Sequence, residues 1–155
     1  MNKIIFYLSG TFLMIISCSS LQVKRSSSVS DQGVEGNIYF ISGNQMPSPG
    51  KKPSSPKGIK TTLYIYQLTN INQVTRQGQS VFYSAINTKL ITKVESDTTG
   101  YFNIQLEPGK YSLFTKKGAS FYARIFDKDN NIAPTEVFAG KITKAEVRID
   151  YDATY

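Results

Sequence analysis

Few residues in this chain could do chemistry, and the single cysteine leads them. Cys18 is the only thiol among 155 residues. It follows a charged start (Met1-Asn2-Lys3), an apolar run from Ile4 to Ile16, and Ser17; Ser19 and Ser20 come next. A positive start, a short apolar stretch and a small-residue site make a secretory leader. The run is interrupted at Ser9, Gly10 and Thr11. It is also shorter than the roughly 20 apolar residues that a membrane span needs. A thiol at that place is set up for covalent modification on export. The chain has no histidine. Zinc sites built on nitrogen and sulfur, and Ser–His or Cys–His nucleophile pairs, are therefore out of reach. A lone cysteine forms no disulfide within the chain. The expectation is a protein that is not an enzyme and that uses neither a metal nor a cofactor.

Ile15-Ile16-Ser17-Cys18 resembles the lipobox of bacterial lipoproteins. The resemblance implies that residues 1–17 are removed and that Cys18, acylated, becomes the new N-terminus. That would tie the protein to the bacterial cell envelope, most naturally at the outer membrane. Of the 155 residues, 138 follow residue 17, enough for one domain with a core. The formal net charge is +7. Its carriers are scattered: Lys51, Lys52, Lys57 and Lys60 in one loop, Lys116 and Lys117 in a turn, Arg124 and Arg148 elsewhere. Such scatter usually marks a solvated surface. The functional alternative is attraction to anionic envelope polymers or lipid headgroups. Nucleic acid is not an expected partner.

Two other groups merit weighing. Asp127-Lys128-Asp129-Asn130-Asn131, with Glu136 beyond, alternates oxygen ligands as a calcium loop does. The central glycine is missing and Ile132 sits where the loop must curl, so a polar turn is the better reading. The ten tyrosines form the second group. Tyr64, Tyr66, Tyr122 and Phe126 would share one outer face if their strands share a sheet. With Lys51, Lys52 and Lys57 nearby, that face is the candidate binding surface for a protein or glycan. The plain alternatives are that tyrosine suits half-buried strands, or that a long loop covers the patch. Asp97, Asp150 and Asp152 do not make an evident hydrolytic pair.

The elements that would position these residues are strands. Residues 19–33 are Ser-rich and polar, a flexible tether. The layout is thus leader 1–17, lipidated Cys18 and tether 18–33, and a folded domain 34–155. From Val34 onward, apolar and polar residues alternate, and no segment keeps a helical period. The class is all-β. Strands are expected at 36–41, 59–67, 89–95, 101–106, 110–115, 121–127 and 143–151. Leu63 and Ile65 should face inward, as should Leu90 and Val94, and Phe102, Ile104 and Leu106. Tyr111 and Leu113, then Phe121, Ala123 and Ile125, then Ala145, Val147, Ile149 and Tyr151 complete the inward set. Short strands at this spacing mean a sandwich or a barrel. Ser42–Gly58 carries Pro47, Pro49, Pro53 and Pro56 and reads as an extended basic loop. Leu68–Ser80 is polar, with room for one helical turn.

Asp97-Thr98-Thr99-Gly100-Tyr101-Phe102, then Leu106-Glu107-Pro108-Gly109-Lys110-Tyr111, places two tight turns around one alternating strand. This pairing resembles the carboxypeptidase regulatory-like domains, whose fold is transthyretin-like. Gly33-Val34-Glu35-Gly36-Asn37-Ile38 is similar to the family's opening strand, and Lys57-Gly58-Ile59 into Leu63–Tyr66 to its second. The resemblance covers about 34–150. It implies a seven-stranded Greek-key β-sandwich, non-catalytic, used as an accessory module on peptidases, outer-membrane transporters and envelope lipoproteins. The chain departs from the family in its Pro/Lys-rich insertion and its longer connection after the second strand. The expected function is a membrane-anchored envelope lipoprotein acting as a binding or adaptor module. The alternative is a purely structural envelope lipoprotein without a specific ligand.

Overall fold

A computed structural model describes residues 32–46, 49–50 and 55–155. Cys18, Lys51 and Lys52 lie outside the described residues, as does the leader and most of the tether.

The described chain is all-β, as the alternation predicts, and of the sandwich and barrel that the spacing allows it is the sandwich. One layer contains β1 (Gly33–Asn44), β2 (Lys57–Gly58), β7 (Tyr101–Gln105) and β11 (Ile142–Thr154). The other contains β3 (Thr62–Gln67), β4 (Val74–Arg76), β5 (Phe82–Ile86), β6 (Leu90–Glu95), β8 (Gly109–Lys117), β9 (Ser120–Tyr122) and β10 (Pro134–Val137). The seven expected strands are thus joined by short ones. Strands β4, β5 and β10 fall in stretches too brief or too polar to announce themselves by alternation. Leu68–Ser80 does hold one short helical turn, Ile71–Gln73, capped by Asn70.

The first layer is organised around β1. It pairs with β11 in parallel along its whole length, from Gly33↔Ile142 to Asn44↔Thr154. Its other edge pairs with β7 at residues 33–37 and with β2 at 39–40. In the second layer β8 is central, with β3 on one edge and β10 then β9 on the other. Its five residues from Tyr111 to Thr115 are all buried, because both faces are covered.

The principal core lies between the layers. Val34, Ile38, Leu63, Ile65, Phe102, Leu106, Tyr111, Leu113 and Ile149 are buried there, with Ile104, Ala145, Val147 and Tyr151 packed against them. The inward set expected for β3, β7, β8 and β11 is found there. A second cluster sits on the opposite face of β3 and β8, where Tyr66, Phe114, Tyr83, Ala123 and Ile132 are buried. It is roofed by β4, β5 and the helical turn, through Val74, Ile86 and Ile71.

Two inward expectations require correction. Leu90 is exposed, because the β3–β6 ladder shifts register between Ile65 and Tyr66, and an extra residue turns Leu90 outward. The strand expected at 121–127 ends at Tyr122, and its register is reversed. Tyr122 enters the principal core while Phe121 joins the second cluster, and Ile125 is exposed. With apolar packing on both faces, local alternation carries no sign to say which face is which.

The first of the two expected turns is built as its residues require, and the second is not. Asp97 Oδ1 accepts from the backbone N–H of Thr99 at 2.8 Å and of Tyr101 at 3.0 Å. Gly100 has φ +84, and a Cβ there would lie 2.2 Å from the Ile38 carbonyl oxygen. Gly109, by contrast, opens β8 without a positive φ. That turn is tied instead by the Tyr111 hydroxyl, which donates to the Glu107 carbonyl at 2.7 Å.

Candidate functional site

The tyrosines chosen from sequence are separated by the sheet. Tyr64 and Tyr66 point to the second cluster, where Tyr66 is buried and packs edge-on against Phe114 and Phe121. Tyr64 is half-buried and meets Phe121 at 5.5 Å. Tyr122 lies on the other side, within the principal core, against Tyr151 at 5.1 Å. The exposed platform of Tyr64, Tyr66 and Tyr122 therefore does not form. Lys57 belongs to β2 in the other layer, and the cation over Tyr64 is Lys116, 4.9 Å from its ring. Asp127 is occupied as a turn former. Its Oδ1 accepts from the N–H groups of Asp129 and Asn131, and its Oδ2 from the Asn131 amide.

The structure instead opens on a flank. Strand β11 pairs only with β1, so its other edge is free of any described strand. That edge faces β10 and residues 123–125 across a groove of about 380 Å³. Buried Leu113 and Tyr122 form its floor, and Ala133, Ala145 and Val147 its apolar walls. Ile125 and Phe138, 53% and 52% exposed, stand at its rim. Exposed large apolar side chains beside an apolar gap are the feature that marks a contact site.

Two clasps hold the groove at its ends. At one, the Thr143 hydroxyl donates to the Glu136 carbonyl at 2.7 Å. At the other, Asp150 is buried among three donors, Tyr122 of the opposite layer, Arg124 just beyond it, and Tyr155 at the end of its own strand. The Tyr122 hydroxyl donates to its Oδ1 at 2.5 Å, and Arg124 forms an ion pair with Oδ2. Tyr155 donates to the same Oδ2 at 2.8 Å. A bulge makes this possible. Between Phe40↔Ile149 and Ser42↔Asp152, β1 has one residue where β11 has two, and the extra residue re-aims Asp150. Burial alone would raise the Asp150 carboxyl, but the hydrogen bonds from Tyr122 and Tyr155, with Arg124, hold it below the ordinary range. The same burial and the carboxylate push the Tyr122 phenol well above its usual value. A carboxylate saturated by three donors is a poor base. It joins the layers, and its chemistry is structural.

Between the clasps the backbone of β11 is on offer. Gly33 N–H donates to the Lys141 carbonyl at 3.1 Å. Alternation along a parallel ladder then turns the amides of Thr143, Ala145 and Val147 toward β1. The N–H and C=O groups of Lys144, Glu146 and Arg148 face the groove side. Sequence reasoning missed this flank, since it placed Ile125 inward and gave Phe138 no role. One wall joins β10 to residues 123–125, and the latter lie about twenty residues before the β11 wall, so no local pattern joins the whole groove.

Comparisons with family models, with curated proteins and with solved structures give no match.

Proposed function

We propose that this chain is a non-catalytic lipoprotein of a bacterial envelope, anchored through acylated Cys18, whose β-sandwich docks a protein partner. The anchor rests on the leader-like start, the small residues around Cys18 and the Ser-rich stretch that follows. The accessory role implied by the carboxypeptidase regulatory-like resemblance fits an all-β sandwich. The docking role is carried by one observation: the open flank, with apolar floor, exposed Ile125 and Phe138, and a free strand edge. A strand edge offers main-chain hydrogen bonds and pockets for alternate side chains, which is how one protein receives an extended segment of another. A glycan platform has less support, because Tyr66 and Tyr122 are buried. The test is cross-linking in intact membranes. The Ile125→Ser/Phe138→Ser variant should lose the cross-linked product that wild type gives, while Tyr64→Ser should keep it. Equal yield from the flank variant and wild type would contradict the proposal.

A further inference from the structure

We propose that the end of the sandwich from which the chain runs back to Cys18 is a seat for a phospholipid surface, entered by Leu90, Ile91 and Ile142. The inference goes beyond the docked partner and rests on the anchor alone. Distant parts of the sequence assemble this end. Gly33 opens β1 opposite Ile142 of β11 and opposite Gln105 of β7. Val137, the last residue of β10, is paired with Gly109, the first of β8. Leu90 opens β6 opposite Tyr66, and the Gln67 N–H donates to the Lys89 carbonyl at 3.0 Å. Gln67 is paired in turn with Tyr111, near the start of β8. The turns before β6, β8 and β11 therefore all project from the end where β1 begins. Gln32 fixes the exit of the chain there. Its side-chain oxygen accepts from the Gly140 N–H at 3.1 Å, and its amide donates to the Glu107 carboxylate at 3.4 Å. It shares a depression with Ile91 and Leu106.

Large apolar side chains are bare at this end. Leu90 is 43% exposed, Ile91 38% and Ile142 37%, with Phe138 close by in sequence. Lys89 precedes Leu90, and Lys141 precedes Ile142. Aliphatic groups bracketed by lysines suit the boundary of a bilayer: the apolar groups enter it, and the ammonium groups stay with the headgroup phosphates. The anchor decides which surface this end meets. The 14 residues from Cys18 to Asp31 lead to it. A polar coil of that length would span about 20 Å. Strand β11 runs 13 residues, so the far end of the sandwich stands roughly 40 Å away. Lipid around the anchor thus meets the near end first, and tethering makes a weak contact count. Met46 and Tyr155, exposed at the far end, face away from the anchor, and Tyr155 gives its hydroxyl to Asp150.

The test is fluorescence quenching in the mature full chain, floated on vesicles of phosphatidylethanolamine and phosphatidylglycerol with brominated acyl chains. With Cys18 acylated, an added cysteine is the only thiol to label. Probes at Leu90→Cys and at Ile142→Cys should be quenched at least several-fold more than a probe at Met46→Cys. Phe138 is left out because it also borders the flank. Leu90→Ser/Ile91→Ser should lower quenching of the Ile142→Cys probe several-fold, whereas a probe that entered lipid by itself would be indifferent to them. Thermal melts check each fold, and should one cysteine variant fail to fold the other decides. Equal quenching at Met46→Cys, no quenching at the near end, or indifference to the serine pair would overturn the seat while leaving the anchor standing. A near end unquenched in vesicles but closed to a water-soluble thiol reagent in whole membranes would belong to a protein, and would overturn the seat too. Labelling of wild type, or loss of flotation, would contradict the anchor itself and the seat with it.

Discussion

Asp150 shows how much one side chain does here. Its carboxylate receives Tyr122, Arg124 and Tyr155, and it ties the last strand to the opposite layer. Because its folded pKa lies below the unfolded value, it adds stability that is complete above about pH 4. That stability is lost as pH falls through the folded value. Tyr122 has the opposite sign. Its raised phenol adds stability below about pH 10 that is lost as pH rises through the folded value. Melting temperature against pH should therefore show a plateau between these limits. Asp150→Asn should lower the plateau by about 1.5–3 kcal/mol, the worth of hydrogen bonds to a charged group, and flatten the acid side. An unchanged acid slope in that variant would show that other carboxylates govern it. The two glycines divide in the same way. Gly100→Val must place a Cβ on the Ile38 carbonyl at a left-handed φ, at a cost of at least about 1–3 kcal/mol. Gly109→Ala meets nothing nearer than 3.4 Å and should change the melt little. Comparable losses at the two positions would contradict the turn geometry.

Among the elements, legibility followed burial. Strand β7 could be read residue by residue, because one face meets the core and the other meets water: Phe102 is buried while Tyr101 is exposed. Strand β3 could be read for its two faces, Leu63 and Ile65 against Tyr64 and Tyr66, but not for the roof over the tyrosines. That roof comes from β4 and β5, whose three and five residues are too few to show a period. Phe121 and Tyr122 defeated local reading, since apolar groups receive both. The Asp150 cluster was hidden for another reason. Its partners Tyr122 and Arg124 lie 28 and 26 residues away, and only the sandwich brings them together. For β7 the consequence is measurable. Ile104→Ala, against the principal core, should cost about 2–4 kcal/mol, toward the lower end because Ile104 is only partly buried. Gln105→Ala, on the exposed face, should stay within about 0.5 kcal/mol. Denaturant melts of both variants check this, and equal losses would mean the register is different.

For the whole molecule, the first and last strands lie side by side. Strand β1 begins at Gly33, directly after the Ser-rich stretch, and β11 runs parallel to it along the sandwich. A chain anchored at Cys18 would thus hold its sandwich by the strand that neighbours the open edge. Three acyl chains exceed the two hydrophobic signals that stable attachment takes, at about 0.8 kcal/mol for each buried CH₂. The direct measurement is the mass of the N-terminal peptide of the mature protein purified from membranes. That peptide should start at Cys18 and carry a diacylglyceryl group and an amide-linked acyl chain. An N-terminal peptide that retains Met1, or one that carries Cys18 as a free thiol, would contradict the anchor.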